Sequence, residues 1–424
     1  MAITALSHVY PIGSRINEAG RLEVGGCDAV ELAQEFGTPA YVVAEDDLRA
    51  RAAAFREALR EHHGDDGEVL FASKAFPAPA VFRVFAEEGL SCDVASGGEL
   101  ALALRGGFDP ARVYLHGNAK SPAEFREAVE AGVGTIVVDG FDDLDRLEEA
   151  VPDGSVQRVM VRVRPGVKPS THDFISTGQV DSKFGLGLDD ARAAVDRIRG
   201  SERLELIGLH MHIGSQIFEL ASFRKAVEAI AGLGDFPTYN LGGGLGVAYT
   251  AQDDPPSIED YVRTKAEAVR DVLGPGKRLV IEPGRALVAN AGVTLYRVMT
   301  VKRDVSTYVG VDGGMSDNLR PMLYGAVYEA AIADRMTPGD GPGELAHVAG
   351  KHCESSDVIV RDVHLPDPRP GDVLVTPATG AYGHAMASNY NGVPRPPVIF
   401  CRDGQARVVV RRETYEDLAA RDVV

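Results

Sequence analysis

From residue 69 to residue 281 the chain repeats one phrase, a short apolar run that reads as a strand followed by a longer stretch of helical periodicity. Strands are expected at 40–44, 69–73, 92–95, 113–116, 135–138, 159–163, 206–212, 239–241 and 279–281. Helical patterns fall between most of them, at 46–62, 79–88, 98–105, 122–131, 142–150, 189–199, 222–233 and 258–273. Strands alternating with helices at this spacing make a parallel sheet, and a count at or slightly above eight favours closure into a (β/α)8 barrel of the TIM type. An open doubly wound sheet is the competing architecture. Against it, the first strand-helix turn carries no GxGxxG, and polar residues recur at many strand ends instead of at one switch point. Those ends hold Lys74, Asp93, His116, Arg164, His212, the glycines 242–244 and Glu282. In a barrel they share one rim.

From about Gly292 the texture changes to β-rich segments without long helices between them, at 294–302, 307–311, 345–348, 358–363, 373–376, 398–401 and 407–411. A chain of 424 residues exceeds one ordinary core, so a second, all-β domain of barrel or sandwich type is expected. The predicted division is a barrel over 39–290 and a β-rich domain built from 1–38 and 291–424. The first 37 residues read as irregular apart from a helical pattern at 27–36, and 334–343 reads as an exposed loop.

A formal charge of −18 argues against a nucleic-acid partner, whose phosphates call for a basic excess. Cys27, Cys92, Cys353 and Cys401 are widely separated and form no CxxC pair, which removes the usual zinc and thioredoxin-like readings and fits reduced thiols in the cytoplasm. No stretch approaches the roughly 20 apolar residues of a membrane helix, and no basic segment followed by an apolar core opens the chain. The expectation is a soluble cytoplasmic protein with no membrane partner.

Several strand ends could carry chemistry. Lys74 closes the apolar run 69–73; such a lysine either snorkels to solvent or must be compensated, neutralised or joined covalently to something. The run Gly242-Gly243-Gly244 lacks side chains, so backbone amides can close on an anion, although glycine runs are more often turns. Glu282-Pro283-Gly284-Arg285 is either a surface ion pair or a carboxylate for a pyridine nitrogen beside an arginine for a carboxylate or phosphate. His210 and His212 stand at alternate strand positions and are expected to share a face. No third ligand has metal-binding spacing beside them, so no metal is expected; an imidazole stacked on an aromatic cofactor, with Ser215 reaching its phosphate, is the sharper reading. In the β-rich domain, Cys353-Glu354-Ser355-Ser356-Asp357 gathers a thiol, carboxylates and hydroxyls, and its cysteine is either a small buried hydrophobe or a proton donor. An amine, a ring-nitrogen partner, a stacking imidazole and a phosphate cradle on one rim are what pyridoxal 5'-phosphate requires.

From about Pro39 to Arg395 the sequence resembles the fold-type III, alanine-racemase-like pyridoxal phosphate decarboxylases, and within them the diaminopimelate decarboxylases. The resemblance rests on blocks in order, among them SCDVASGGEL (91–100), TGQVDSKF (177–184), GLHMHIGSQI (208–217), DNLRPMLY (317–324), CESSD (353–357) and TGAYGHAMASNYN (379–391). It implies that Lys74 carries the cofactor as a Schiff base, His212 stacks on its ring and Glu282 pairs with the pyridinium nitrogen. Asp93, Ser215, Gly243, Gly244 and Tyr382 complete the cofactor site. Arg285, Arg320, Tyr324 and Glu354 bind the substrate, Glu354 taking its distal ammonium group, and Cys353 is the proton donor. The Cys-Glu segment of this family serves the other subunit, so the resemblance also implies a head-to-tail homodimer with active sites at the interface.

Diaminopimelate has an amino acid at each end, and its distal end calls for a carboxylate binder together with an ammonium binder. Arginines and Glu354 supply both. Relatives acting on ornithine or lysine usually carry Asp at that position, so a decarboxylase of ornithine, lysine or arginine is the alternative, and a non-catalytic cofactor-binding relative a remote one. Two positions depart from the family: Phe76 where Asn is common, and Gly383 where many members have Cys.

Overall fold

A computed structural model describes residues 6–167, 182–337, 341 and 343–423. Most of the TGQVDSKF block, and part of the loop expected at 334–343, lie outside the described residues. The chain divides into two compact units, one of Arg49–Gly246 with Pro255–Ala286, the other of Met1–Leu48, Val247–Asp254 and Leu287–Val424.

In the first unit eight strands close into a barrel: Gly67–Ala72 (β1), Ser91–Val94 (β2), Val113–Leu115 (β3), Thr135–Val138 (β4), Gln157–Arg162 (β5), Leu204–His210 (β6), Thr238–Asn240 (β7) and Arg278–Ile281 (β8). Every pair is parallel, and β8 returns to β1. Strands covered on both faces need apolar side chains on both, which is why these read as continuous apolar runs; Thr135–Val138 is buried at every position. Leu70, Tyr114, Val137, Met160, Ile207 and Val280 fill the inside as one buried cluster, with ~1.5–3 kcal/mol of burial for each of the aliphatic side chains and methionine. The helices end where local chemistry ends them. Pro122–Ala131 starts on a capping box between Ser121 and Glu124 and stops at Gly132, whose φ of 77° is left-handed.

Register sets the rim. Ala72 pairs with Asp93, Arg162 with His210, and His210 with Asn240, so the strands end nearly level. The strand predicted over 206–212 stops at His210, leaving His212 two residues beyond it.

The second unit is built on a nine-stranded sheet in which Gly292–Arg303 is the longest strand. Residues 40–44, expected to open the barrel, belong here instead. Ala40–Ala44 pairs antiparallel with Gly292–Arg303 and parallel with Val398–Arg402. The cause of the misreading is physical: all five of its residues are buried, and a central strand of a covered sheet has the same two-sided apolar pattern as a barrel strand. Its removal leaves eight barrel strands from the nine expected. The N-terminal segment read as irregular contains a small sheet of Arg15–Ile16, Leu22–Val24 and Cys27–Asp28, and the expected helix is Ala29–Glu35, capped by the Asp28 carboxylate.

Candidate active site

Lys74 sits in a 3-10 turn, Ser73–Ala75, that follows β1. Three contacts fix that turn. Ser73 Oγ donates to Glu99 Oε2 (2.8 Å), Glu99 Oε2 also accepts from Ala95 N (2.7 Å), and Ala72 N donates to Pro283 O (3.1 Å). The approach of the 283–284 backbone depends on Gly284, where a Cβ would lie 2.9 Å from that of Ala72. Lys74 itself is exposed and lines a cavity of about 360 Å³ with Asp93, His116, Arg162, His212 and Glu282. Its amine thus faces a chamber at the rim.

At the chamber floor Glu282 is buried, its two oxygens separately engaged. Asn240 Nδ2 donates to Oε1 (2.6 Å), His116 Nε2 lies 3.0 Å from the same oxygen, and His210 Nε2 lies 3.3 Å from Oε2. Burial opposes ionisation, but the interactions with His116 and His210 outweigh it and hold the carboxyl well below the usual range. Burial depresses His210 to about 4, so near neutrality it is an uncharged imidazole whose Nε2–H donates to Glu282. Asp93 has the opposite fate. It is buried, Oδ2 has no hydrogen-bond partner among the described residues, and burial followed by the charge of Glu282 pushes its carboxyl well above the usual range against the pull of Lys74. One acid is ionised and its neighbour protonated, a division that allows different roles at one pH.

His116, His210 and Glu282 also place possible metal-ligand atoms within 4.8 Å of one another, a third member that sequence spacing did not reveal. Asn240 and His210 already hydrogen-bond this carboxylate, and His116 Nε2 lies close beside it, which makes the cluster a polar shell around an anion.

The glycines after β7 pack closely against Glu282 and His212. Gly242 and Gly244 have φ of +62° and +109°, and a Cβ on Gly243 would lie 2.2 Å from Glu282 O, so none of the three accepts a side chain without strain. Gly243 N donates to His212 Nδ1 (3.2 Å). Burial and then the charge of Lys74 hold His212 well below its ordinary pKa, leaving a neutral ring at the cavity wall. Arg285 is buried and donates through Nη2 to Ser215 Oγ (2.9 Å), so the expected alternative of a surface pair between Glu282 and Arg285 is not their setting.

Tyr382, Arg320, Tyr324, Cys353 and Glu354 belong to the second unit. Cys353 is exposed, whereas the other three cysteines are buried, so it is not the small core hydrophobe that a lone cysteine usually is. Its amide donates to Asn391 Oδ1 (3.0 Å), and Glu354 accepts from the Tyr390 hydroxyl. Beneath them Asp357 accepts from His352 Nδ1 (2.8 Å) and Met315 N (2.7 Å), a buried anchor for an exposed segment. The Arg320 guanidinium lies 4.5 Å from the Tyr249 ring centroid and donates to the Tyr328 hydroxyl. Tyr324 ends the short helix Arg320–Tyr324, and Tyr382 has a left-handed φ of 65°.

The family pattern for the pyridoxal-binding domain of pyridoxal-dependent decarboxylases matches residues 45–289. The chain belongs to this family. It is 49% identical to the diaminopimelate decarboxylase of Actinosynnema pretiosum subsp. auranticum, over 98% of this chain and 95% of that protein. It is 45% identical to that of Bacillus subtilis, over 97% of each. The crystal structure of the M. jannaschii diaminopimelate decarboxylase in complex with L-lysine superimposes with a TM-score of 0.90 at 33% identity, covering 97% of this chain and 98% of that one. As a pyridoxal-dependent decarboxylase, the chain uses pyridoxal phosphate as cofactor. The chamber fits that group: an amine at its mouth, an ionised carboxylate on its floor, a neutral imidazole at its wall and side-chain-free backbone beside it.

Sequence reading missed Arg162 and gave Asn240 and His116 no role. Arg164 was placed on the rim, but β5 ends at Arg162, and Arg164 turns away to donate to Ser182 O (2.7 Å). Arg162 lines the chamber, 3.6 Å from Asp139 and 4.4 Å from the Phe184 ring. Its signal was a cation closing an apolar run, the same signal that drew attention to Lys74. A cavity of about 560 Å³ also opens at the opposite ends of the strands. Its acid Glu68 is satisfied by Ser91, Tyr114 and Arg278, which leaves it a structural role.

Proposed function

We propose that this decarboxylase converts meso-2,6-diaminopimelate to L-lysine and carbon dioxide, the last step of lysine biosynthesis. The observation that carries the reading is identity of 45–49% along 97–98% of the chain to proteins that bear that activity in their names. Bound pyridoxal phosphate supplies an electron sink for the pair left at Cα when carbon dioxide departs. Lys74 would provide the amine that holds the cofactor covalently. Glu282, kept ionised in its shell of donors, retains a proton on the pyridine nitrogen. His212, neutral, packs on the ring without competing for that proton. Ser215, Gly243, Gly244 and Tyr382 receive the phosphate, and Asp93 stands protonated beside the site.

Arg285, Arg320 and Tyr324 bind substrate, Glu354 takes the distal ammonium group, and the Cys353 thiol delivers a proton to Cα. Glu354 and Cys353 serve the site of a second copy, so the working form is a head-to-tail homodimer. The four free thiols support a cytoplasmic location, and no helix among the described residues is long and apolar enough to cross a membrane.

Two measurements test the reading. The purified protein should absorb in the visible as a lysine-bound pyridoxal enzyme, and Lys74→Ala should lose that band; a colourless protein that cannot be reconstituted overturns the role of Lys74. Carbon dioxide release from meso-diaminopimelate should exceed that from ornithine, lysine and arginine. The reverse order would transfer the assignment to another basic amino acid.

A further inference from the structure

Behind the glycine segment lies a lysine that the reaction itself does not use. Lys265, in the helix Ile258–Ala268, is 0% exposed. Its Nζ reaches three consecutive carbonyl oxygens, Leu241 O (3.0 Å), Gly242 O (2.7 Å) and Gly243 O (3.2 Å). It also lies 2.5 Å from Tyr261 Oη, which itself donates to Gly242 O (3.3 Å). The rings of Phe223 and Tyr261 face it at 4.6 and 4.3 Å to their centroids.

We infer that Lys265 is a positioning residue that aims the 243–244 backbone at the cofactor's phosphate from behind. The inference deepens the reading of those glycines as the phosphate cradle and rests on it. In a trans peptide the carbonyl of one residue and the N–H of the next point in opposite directions. Drawing the carbonyls of 241, 242 and 243 onto one amino group therefore turns the N–H groups of 242, 243 and 244 away from it; that of Gly242 is taken by Asn240 Oδ1 (2.9 Å). Gly243 N accordingly faces His212 Nδ1, a cavity-lining residue. Glycine is free to adopt the opposite peptide orientation, so something outside the loop must choose between them.

Nζ has four oxygen neighbours, the three carbonyls and Tyr261 Oη, for the three N–H groups of an ammonium or the two of a neutral amine. Burial holds the Lys265 pKa well below its ordinary value, and Glu282 offsets this only in part, so the positioning rests on the hydrogen bonds of Nζ to the three carbonyls.

The test compares pyridoxal phosphate with pyridoxal, which lacks only the phosphate, in absorbance titrations of the full-length protein after cofactor removal. Lys265→Met keeps the length and apolar contact of the side chain. It should weaken pyridoxal phosphate binding by about 10-fold or more, as expected for loss of a buried hydrogen-bond network, and change pyridoxal binding less than about threefold. Equal losses for both ligands would reduce Lys265 to a packing role and overturn the inference, as would no loss for either. Should Lys265→Met fail to fold, Lys265→Arg and Lys265→Gln are compared instead. The phosphate preference kept with arginine and lost with glutamine supports the inference; equal preference in the two overturns it. Gly243→Ala, titrated in parallel, separates the two readings. If it costs phosphate-specific affinity and Lys265→Met does not, only the role of Lys265 fails. If Gly243→Ala costs none, the cradle itself is misplaced.

Discussion

Glu282 and Asp93 show how neighbours rather than residue type decide protonation. Both are buried carboxyls, yet the donors around Glu282 keep it ionised, and that charge helps to keep Asp93 protonated. Glu282→Gln should therefore retain the cofactor band while lowering kcat by about 10²–10³-fold, the order found for removing one preorganised electrostatic group. Unchanged turnover would remove Glu282 from the mechanism. His210 makes a second prediction. Its pKa falls from 6.5 to about 4 in the folded chain, so between those values the unfolded state binds more protons. The stability it contributes is fully present above pH 6.5 and is lost as pH falls toward 4, at up to about 1.4 kcal/mol per pH unit. Asp93, raised, works in the opposite sense over part of that range, so the informative quantity is the difference between parent and His210→Gln. Urea midpoints at pH 7, 6 and 5 should fall less steeply in the variant; parallel slopes would contradict the assignment. The sequence displayed Lys74, His212 and Glu282 because each interrupts an apolar run. It did not show that Asn240, His116 and His210 surround Glu282, because they stand at the ends of three strands that only barrel closure brings together.

At the scale of elements, the glycine segment after β7 shows which loops a sequence reveals and which it does not. Its existence was legible, since consecutive glycines after an apolar run leave few alternatives. Its shape was not, because that shape depends on Glu282 O, on His212 and on Lys265 in the following helix. Gly243→Ala places a Cβ 2.2 Å from a backbone oxygen, and backbone gives way at a cost. The expected destabilisation is ~1–3 kcal/mol, as for overpacking of a well-filled site, read as a lowered urea midpoint. A midpoint unchanged from the parent would show that the loop relaxes freely. Gly383, a departure from the family, has the same logic in milder form. A Cβ there would meet Thr379 O at 3.0 Å and a Tyr41 ring carbon at 3.2 Å. The space for the family's cysteine is narrowed here, which the sequence recorded only as a missing side chain.

For the whole molecule, the alternation of strand and helix was enough to recover barrel closure, because that pattern has few other solutions. Strand 40–44 went to the wrong sheet because its burial pattern carries no information about which neighbours cover it. The same limit applies to assembly: a single chain's pattern does not say which copy supplies the proposed proton donor and substrate-binding residues. Complementation in solution answers that. Lys74→Ala and Cys353→Ala should each be nearly inactive alone. If each site takes its lysine from one copy and its thiol from the other, a mixed dimer carries one site with both groups intact and one with neither. Equal amounts of the two variants, unfolded and refolded together, should then recover about a quarter of parental activity through random pairing in a symmetric dimer. Two variants refolded separately and then mixed should recover less, to the extent that subunits exchange slowly. No recovery on co-refolding, with dimers formed normally by light scattering, would mean that each chain completes its own site, and Cys353 and Glu354 would act on the copy that carries them.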